Sequence, residues 1–267
     1  MHVVQNASFS NRLEFKSIFS TLKYRLLESR PVDVGEWQSI QGSVMMRELL
    51  HVIFEYDMPA TQQDVAEDTG ARLPWAEDHF LERVGGEPLN PAPSEAWWPF
   101  ASKEEGTNVA HKSEGEAFSH TYPERMWPKY TDTTYANSLG GPNGGIRFDY
   151  GDLGAVVDQL IKSPNTRQAY LPIWFPEDTG VVHGKRVPCT LGYHFIIRDG
   201  KLDISYFMRS TDLVRHFQDD VYMAVRLAQW VAEKVTYANV HEGSPDELRV
   251  GNLIFHTANL HIFEQDV

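Results

Sequence analysis

A β-hairpin in the second half of the chain is the feature that most constrains the fold. Residues 188–210 read PCTLGYHFIIRDGKLDISYFMRS, two runs rich in β-branched and aromatic residues on either side of Asp199-Gly200. An Asp-Gly pair between two such runs is the strongest short-range signal for a two-residue hairpin turn. The sequence therefore predicts an antiparallel pair of strands whose ends bring Arg209 back beside Cys189.

Helices and further strands surround this hairpin in the predicted fold. Apolar residues at helical spacing predict helices over KSIFSTLKYRLLE, SVMMRELLHVIFEY and WAEDHFLERV, over GDLGAVVDQLIKSP up to Pro164, and over DDVYMAVRLAQWVAEKV, with Asp219 and Asp220 placed to cap the last one. Two more segments, RQAYLPIWF and NLIFHTANLHIF, are typical of strands. The pattern indicates an α/β (α+β) fold in one domain spanning residues 1–267. Residues 59–125, rich in Pro, Gly and acidic residues, predict an insertion or a peripheral segment packed on the main body by Trp97 and Trp98.

Composition excludes several classes of protein. The chain has 267 residues, of which 42% are hydrophobic, which is enough apolar material for a folded α/β domain. A net charge of -13 argues against a broad electrostatic grip on nucleic acid but leaves room for a small phosphorylated ligand held by a local group of Arg. No apolar run approaches the roughly 18 to 20 residues of a membrane span, and the N-terminus lacks the apolar core of a signal peptide. With one Cys the chain has no internal disulfide and no multi-Cys metal site, so we expect a cytoplasmic protein without a metal.

The single cysteine is the candidate nucleophile. A lone Cys in such a chain is ordinarily a small buried hydrophobe, and that reading stays open from the residue alone. The hairpin changes the balance because it places the Arg209 guanidinium near Cys189, where a cation would favour the thiolate. The same guanidinium could instead hold a phosphate in a forked grip, or be a solvated charge at a strand edge.

Several motifs in order resemble the thymidylate synthase superfamily, and within it the phage deoxycytidylate hydroxymethylases. Pro188-Cys189 is followed by Arg209-Ser210-Thr211-Asp212 and by a short loop that enters a helix at Asp220. Upstream, SPNTRQAYLPIWFPED resembles the family's Pro-x-Ser-Arg-Arg segment and its Trp-x-Pro-x-Asp continuation, and RELLH resembles its Glu-Leu-Leu helix. Near the end, LHIF resembles its His-x-Tyr strand. The resemblance covers roughly residues 35–58 and 127–263.

The resemblance implies a large twisted mixed sheet flanked by helices, and a homodimer formed by packing sheet faces together. It implies that the Cys189 thiolate attacks C6 of a pyrimidine nucleotide, which makes C5 a nucleophile for the methylene group of 5,10-methylenetetrahydrofolate. It also makes Glu48 the acid/base residue that moves protons and orders water around C4 and C5. The competing interpretation of Glu48 is a solvent-facing charge beside Arg47 on an amphipathic helix.

The resemblance assigns the remaining site residues by position. Arg209 and Ser210 would bind the 5′-phosphate, and Arg167 would reach the phosphate of the neighbouring subunit, although the family's second adjacent Arg is Gln168 here. His261 would contact the 3′-hydroxyl, while Phe263 replaces the family's Tyr and leaves both dCMP and CMP as substrates. The folate-binding residues would be Asp212, Trp127 and Tyr135; for the two aromatic residues core packing is the alternative.

Asp220 and Thr190 point to cytosine rather than uracil. Thymidylate synthases have an Asn at the position of Asp220, whose amide pairs with O4 and N3-H of uracil. A carboxylate instead accepts a hydrogen bond from the N4 amino group of cytosine. The cytidylate enzymes also have Thr where the synthases have His after the nucleophilic Cys, as in Cys189-Thr190. Capping of the helix is the alternative role for Asp220.

The fate of the methylene group decides the product. Reductive synthases shield it from water with a long C-terminal segment, whereas this sequence stops at Val267, four residues after Phe263. We therefore expect water to add, giving a 5-hydroxymethyl product. The alternatives are a reductive C5-methyltransferase, acting on a cytosine or a uracil nucleotide, and a catalytically idle member of the fold that binds a nucleotide or a partner protein.

Overall fold

The structure is a computed structural model that describes residues 2–4, 14–35, 43–100, 118, 120–127, 151–179, 187–241 and 247–267. Of the predicted site residues, Tyr135 lies outside the described residues, and its role stays a prediction.

The described strands form one mixed sheet. It contains β1 (His2–Val4), β2 (Val32–Asp33), β3 (Met45–Asp57), β4 (Tyr170–Pro172), β5 (Thr190–Arg198), β6 (Lys201–Met208), β7 (Thr211–Asp212) and β8 (Arg249–Phe263). The strand order is β1-β3-β8-β6-β5-β4, with β2 paired to β3 and β7 paired to β8. The β3–β8 and β5–β6 pairs are antiparallel, whereas β6 and β8 run parallel. The long strand β8 therefore joins the hairpin to β3 from the first half of the chain.

The predicted hairpin is confirmed. Strands β5 and β6 pair from Arg198↔Lys201 to Thr190↔Met208, with one irregularity between Thr190 and Gly192. Asp199 and Gly200 have φ of 50° and 69°, the left-handed backbone that a two-residue turn of this type requires.

Helices pack on the sheet and build the core. They are α1 (Phe15–Glu28), α2 (Gln62–Thr69), α3 (Trp75–Val84), α4 (Tyr122–Met126), α5 (Leu153–Lys162) and α6 (Phe217–His241), with short 3-10 turns at Pro93–Trp97, Pro176–Asp178 and Glu264–Asp266. Helix α6 lies against β6 and β8 through a mostly buried surface. Aromatic rings form the middle of this layer: Phe54 stacks on Phe255 at 4.9 Å, and Phe217 meets both edge-on. The predicted mixed sheet flanked by helices is thus present.

One predicted helix is wrong. SVMMRELLHVIFEY forms β3, which pairs with β8 from Met46↔Phe263 to Asp57↔Asn252. Met, Leu, Glu and Arg favour helices in isolation, but burial of this segment comes from a long-range pairing that no local pattern encodes. Glu48 therefore lies on a strand, directly opposite His261.

The start of the last helix also differs from the prediction. Helix α6 begins at Phe217, so Asp219 and Asp220 lie inside its first turn and neither is the capping residue. Asp219 pairs with Arg72, and Asp220 accepts a hydrogen bond from Thr211. The carboxylate of Asp220 is thereby directed to a tertiary partner rather than to the helix's own backbone.

Much of the segment 59–125 belongs to the core. Val65, Trp75, Phe80 and Val84 are buried in the same hydrophobic cluster as the sheet. Trp98 is 7% exposed and stacks on His216 at 4.8 Å, as expected for an anchor, whereas Trp97 is 44% exposed. That this segment is an insertion relative to relatives stays a prediction. None of the helices described is both long and apolar enough to cross a membrane.

Candidate active site

The ends of the hairpin strands place Arg209 on Cys189. The Arg209 amide donates to the Cys189 carbonyl at 2.8 Å, and guanidinium Nη2 lies 3.6 Å from the Cys189 sulfur. The guanidinium also donates to the carbonyl oxygens of Pro188 and Val187, at 2.8 and 3.1 Å. These backbone acceptors fix the cation beside the sulfur, where it stabilises a thiolate electrostatically.

A buried cluster of hydroxyl groups adjoins the cysteine. Thr190, which has no exposed surface, donates through Oγ1 to the Tyr122 phenol oxygen at 3.2 Å and hydrogen-bonds the Tyr206 phenol at 2.9 Å. Tyr122 is the first residue of α4, a short helix started by a capping box between Thr121 and Glu124. Burial, followed by the charge on Cys189, raises the pKa of Tyr122, so the phenol is neutral at pH 7.

Asp220 is a buried carboxylate within electrostatic range of the same phenol. Its carboxylate is 8% exposed and accepts a hydrogen bond from Thr211 Oγ1 at 2.8 Å. Burial raises the pKa of Asp220 to about 6, against the lowering effects of Arg83 and Thr211. The charges of both Cys189 and Asp220 raise the pKa of Tyr122, so the nucleophile and the carboxylate lie within electrostatic range of one phenol.

A second polar network runs from the phosphate-binding candidates to β3. Ser210 Oγ hydrogen-bonds His261 Nδ1 at 3.2 Å, His261 Nδ1 lies 2.9 Å from Asn259 Oδ1, and Asn259 Nδ2 donates to Glu48 at 2.6 Å. Burial, reinforced by Arg209 and Arg215, lowers the pKa of His261 to about 4, so the ring is neutral at pH 7.

This network fixes the tautomer of His261. Glu48 accepts from Asn259 Nδ2, so the Asn259 oxygen faces His261 Nδ1 and must accept its proton. His261 Nε2 then carries a lone pair and can accept a hydrogen bond from a ligand. Glu48 thus acts on the His261 end of the site in the described contacts, not on the side of Tyr122 and Asp220.

Asp212 is a buried carboxylate, and one of its two oxygens accepts hydrogen bonds from the backbone. Its Oδ1 accepts from the amides of Val214 and Arg215 at 2.8 and 2.9 Å. Its Oδ2 is buried without a hydrogen bond to any described residue and lies 3.6 Å from Arg215 Nε. Burial raises the pKa of Asp212 to about 6. This oxygen can accept a donor from a ligand.

The other predicted residues lie nearby or at the surface. Trp127 is buried and donates from its indole nitrogen to the carbonyl oxygen of Arg83 at 2.9 Å. Arg167 is exposed, and its carbonyl oxygen lies 3.0 Å from His194 Nε2. The described part of the chain contains no cluster of three or more His, Cys, Asp or Glu that could hold a metal.

Two residues of the site were missed by the sequence analysis. Tyr122 follows Thr121-x-x-Glu124, a helix-start signal inside the segment predicted to be peripheral. Arg83 lies on the buried stripe of α3 with Ala76, His79 and Phe80, and a polar residue at a core-facing helical position is the signal that could have identified it.

The second half of the chain matches a known family. A sequence model described as thymidylate synthase matches residues 115–267, which is more than half of the 267 residues. The chain belongs to the thymidylate synthase family. The matched region contains Tyr122, Cys189, Arg209, Asp220 and His261. Enzymes of this family take a one-carbon unit from methylenetetrahydrofolate, act on small nucleotide substrates and are typically dimers.

Individual relatives are distant. A protein of Methanosarcina barkeri named "Putative thymidylate synthase" is 28% identical over 163 residues, covering 60% of this chain and 61% of the relative. The thymidylate synthase of Enterobacteria phage T4 is 28% identical over 112 residues, or 42% of this chain and 35% of the relative. The thymidylate synthase of Sphingopyxis alaskensis is 29% identical over 126 residues, or 45% and 36%. The alignments thus span less than two thirds of each of these relatives.

Proposed function

We propose that this protein transfers a one-carbon unit to C5 of a cytosine nucleotide and releases a 5-hydroxymethyl product. The observation that carries the proposal is the buried Asp220 carboxylate, which shares the neighbourhood of Tyr122 with Cys189. The relatives carry the name thymidylate synthase, so the choice of cytosine rests on this carboxylate and not on the relatives.

Cys189 is the proposed nucleophile. Its sulfur lies 3.6 Å from a guanidinium that backbone carbonyl groups hold in place, an environment that favours a thiolate. Addition of the sulfur to C6 makes C5 electron-rich, after which C5 bonds to the one-carbon unit and loses its proton. The transferred carbon then separates from its carrier and takes up the oxygen of a water molecule, and the sulfur–C6 bond breaks to return the thiolate. The Tyr122 phenol lies within electrostatic range of both Cys189 and Asp220, and we assign it to hydrogen bonding and proton transfer there.

Asp220 is the residue that we propose to select cytosine over uracil. Near pH 7 a carboxylate with a pKa of about 6 is mostly ionised and is an acceptor only. It matches the N4 amino group of cytosine and opposes the O4 carbonyl of uracil. A mismatched polar pair in a buried site discriminates strongly between substrates. The Thr190 hydroxyl hydrogen-bonds Tyr122 and Tyr206, and these bonds hold the Tyr122 phenol in place.

We propose that the phosphate and the sugar lie towards Arg209, Ser210 and His261. Arg209 and Ser210 follow β6 in sequence, and Ser210 is bonded to His261. His261 Nε2 is an acceptor and suits the 3′-hydroxyl of the sugar. We propose that Glu48 orients His261 through Asn259, which differs from the acid/base role expected from the sequence.

The described residues fit a folate. Asp212 Oδ2 is a buried acceptor without a hydrogen bond to a described residue, which suits the N–H donors of a pterin ring, and Trp127 offers a buried indole held on the Arg83 carbonyl. When bound, methylenetetrahydrofolate supplies the carbon that C5 receives.

We also propose a homodimer in which Arg167 reaches the phosphate of the neighbouring subunit. Its exposed position supports a contact outside its own chain. The sheet face that carries Phe207 and His256, stacked at 4.9 Å and only partly buried, is the proposed dimer surface.

The proposal is tested by incubating the protein with methylenetetrahydrofolate and dCMP, CMP or dUMP separately, followed by product mass. A mass gain of one hydroxymethyl group on a cytosine nucleotide is the expected result. A methyl group on the cytosine nucleotide would correct the quenching step alone. A product from dUMP only would refute the choice of base.

A further inference from the structure

Arg83 is a buried cation that forms no ion pair with a carboxylate of the described residues. Three arginines are buried among the described residues, and two of them have ion pairs: Arg125 with Asp178 at 2.7 Å and Arg215 with Asp266 at 2.8 Å. Arg83 is 4% exposed, and its Nε is buried without a hydrogen bond to any described residue. A buried N–H donor without a hydrogen bond is costly, and an acceptor from a ligand would remove that cost.

The guanidinium of Arg83 lies in the active site. Its Cζ sits 3.9 Å from the ring centroid of Tyr122, the phenol that Thr190 hydrogen-bonds. Burial raises the pKa of Asp220, and the charge of Arg83 is the largest effect that lowers it. Arg83 is thus a cation that packs on Tyr122, the hydrogen-bond partner of Thr190, and that lies within electrostatic range of Asp220.

Cytosine needs a donor that Asp220 does not supply. The edge that distinguishes it from uracil carries an amino group at N4 and an acceptor at N3. An ionised Asp220 satisfies the amino group but has no hydrogen to give to N3. We propose that Arg83 donates a hydrogen bond to N3 of the cytosine ring, so that Arg83 and Asp220 together read this edge. This inference rests on the proposed function.

The same contact assists the chemistry. When the bond between the Cys189 sulfur and C6 forms, the C5=C6 electron pair becomes a C4=C5 bond, and the N3=C4 pair moves onto N3. No proton has to leave Arg83, because its hydrogen bond and charge stabilise the negative charge that develops on N3. Uracil carries N3-H at this position, which would face the guanidinium donor to donor.

The test compares binding of dCMP with binding of its 3-deaza analogue, in which C–H replaces N3. A hydrogen bond from a charged donor is worth about 10- to 100-fold in affinity, so the wild type should prefer dCMP by that factor. Arg83→Met should bind both compounds equally and lower the rate of C5 tritium release from dCMP by about 100-fold. Equal binding of the two compounds by the wild type, or an unchanged preference in Arg83→Met, would overturn the inference.

Arg226→Met is the matched control. Arg226, on helix α6, also lies over an aromatic ring, 4.9 Å from the centroid of Phe80, and pairs with Glu77. Phe80 and Glu77 belong to α3, the helix that carries Arg83. Arg226→Met should retain the preference for dCMP over the analogue when the affinities are corrected for the folded fraction. Loss of that preference would show that any disturbance of α3 removes it, and would count against Arg83. The wild-type comparison needs no folded variant. If the wild type binds dUMP and not dCMP, the proposed function fails first, and the two failures are distinguishable.

Discussion

The hydroxyl of Thr190 donates to the phenol oxygen of Tyr122 over 3.2 Å, which ties helix α4 to the strand that follows Cys189. Thr190 also meets Tyr206 at 2.9 Å, so one side chain links three elements around the nucleophile. Through Tyr122 the same cluster reaches Arg83 and Asp220. The site is therefore a shared product of the hairpin, the first turn of α6 and the helices α3 and α4.

Thr190→Val should destabilise the fold while preserving side-chain shape. It leaves two buried phenols without this partner, and we expect a loss of about 1–3 kcal/mol in the free energy of unfolding. Urea denaturation measures it. Thr179→Val is the control, because Thr179 is exposed and accepts from the Trp174 indole at the surface; its cost should stay within about 0.5 kcal/mol. Equal costs for the two variants would show that the buried cluster adds no stability.

Asp220→Asn should shift the enzyme towards dUMP. The amide can donate to O4 of uracil, which the carboxylate opposes, so the ratio of kcat/KM for dCMP over dUMP should fall by about 100-fold or more. Asp219→Asn is the control, since Asp219 is also buried but is bonded to Arg72. If the ratio of kcat/KM for dCMP over dUMP changed in Asp219→Asn and not in Asp220→Asn, base selection by Asp220 would be contradicted.

Asp220→Asn should also change how stability depends on pH. The folded pKa of Asp220 is raised from 3.8 to about 6, so its contribution to stability is full below pH 3.8 and is lost as pH rises through about 6. The Asn variant lacks this loss. Its free energy of unfolding relative to the wild type should therefore rise by about 1 kcal/mol between pH 5 and pH 7.5. Urea titrations at both pH values test it, with exposed Asp158→Asn as the control; a difference that is constant with pH would contradict a raised pKa.

Much of the fold was predictable from local patterns. Asp199-Gly200 specified the hairpin, and the hairpin alone predicted the contact between Arg209 and Cys189. The long-range features were not predictable in this way. The segment around Glu48 carries helix-forming residues, and only its pairing with β8 makes it a strand. Arg83 and Tyr122 come from the segment with the most irregular composition, and tertiary packing against α6 and β5 brings them to the site.

Glu48→Ala distinguishes two roles for that residue. If Glu48 orients His261 through Asn259, its loss should raise KM for dCMP by about 10-fold and leave kcat within a few-fold, because the sugar contact weakens while the base contacts remain. Removal of an acid/base group would instead lower kcat by about 100-fold or more. Steady-state kinetics of C5 tritium release separate the two, with Glu55→Ala, on the same strand but outside this network, as the control.

The most direct test of the account is the release of tritium from C5 of labelled dCMP in the presence of methylenetetrahydrofolate. The wild type should release it, and Cys189→Ala should reduce release to background while remaining folded by circular dichroism, because without the sulfur C5 is not activated. Retained release by Cys189→Ala would remove the nucleophile. Release by the wild type from labelled dUMP but not from dCMP would contradict the reading of cytosine by Asp220.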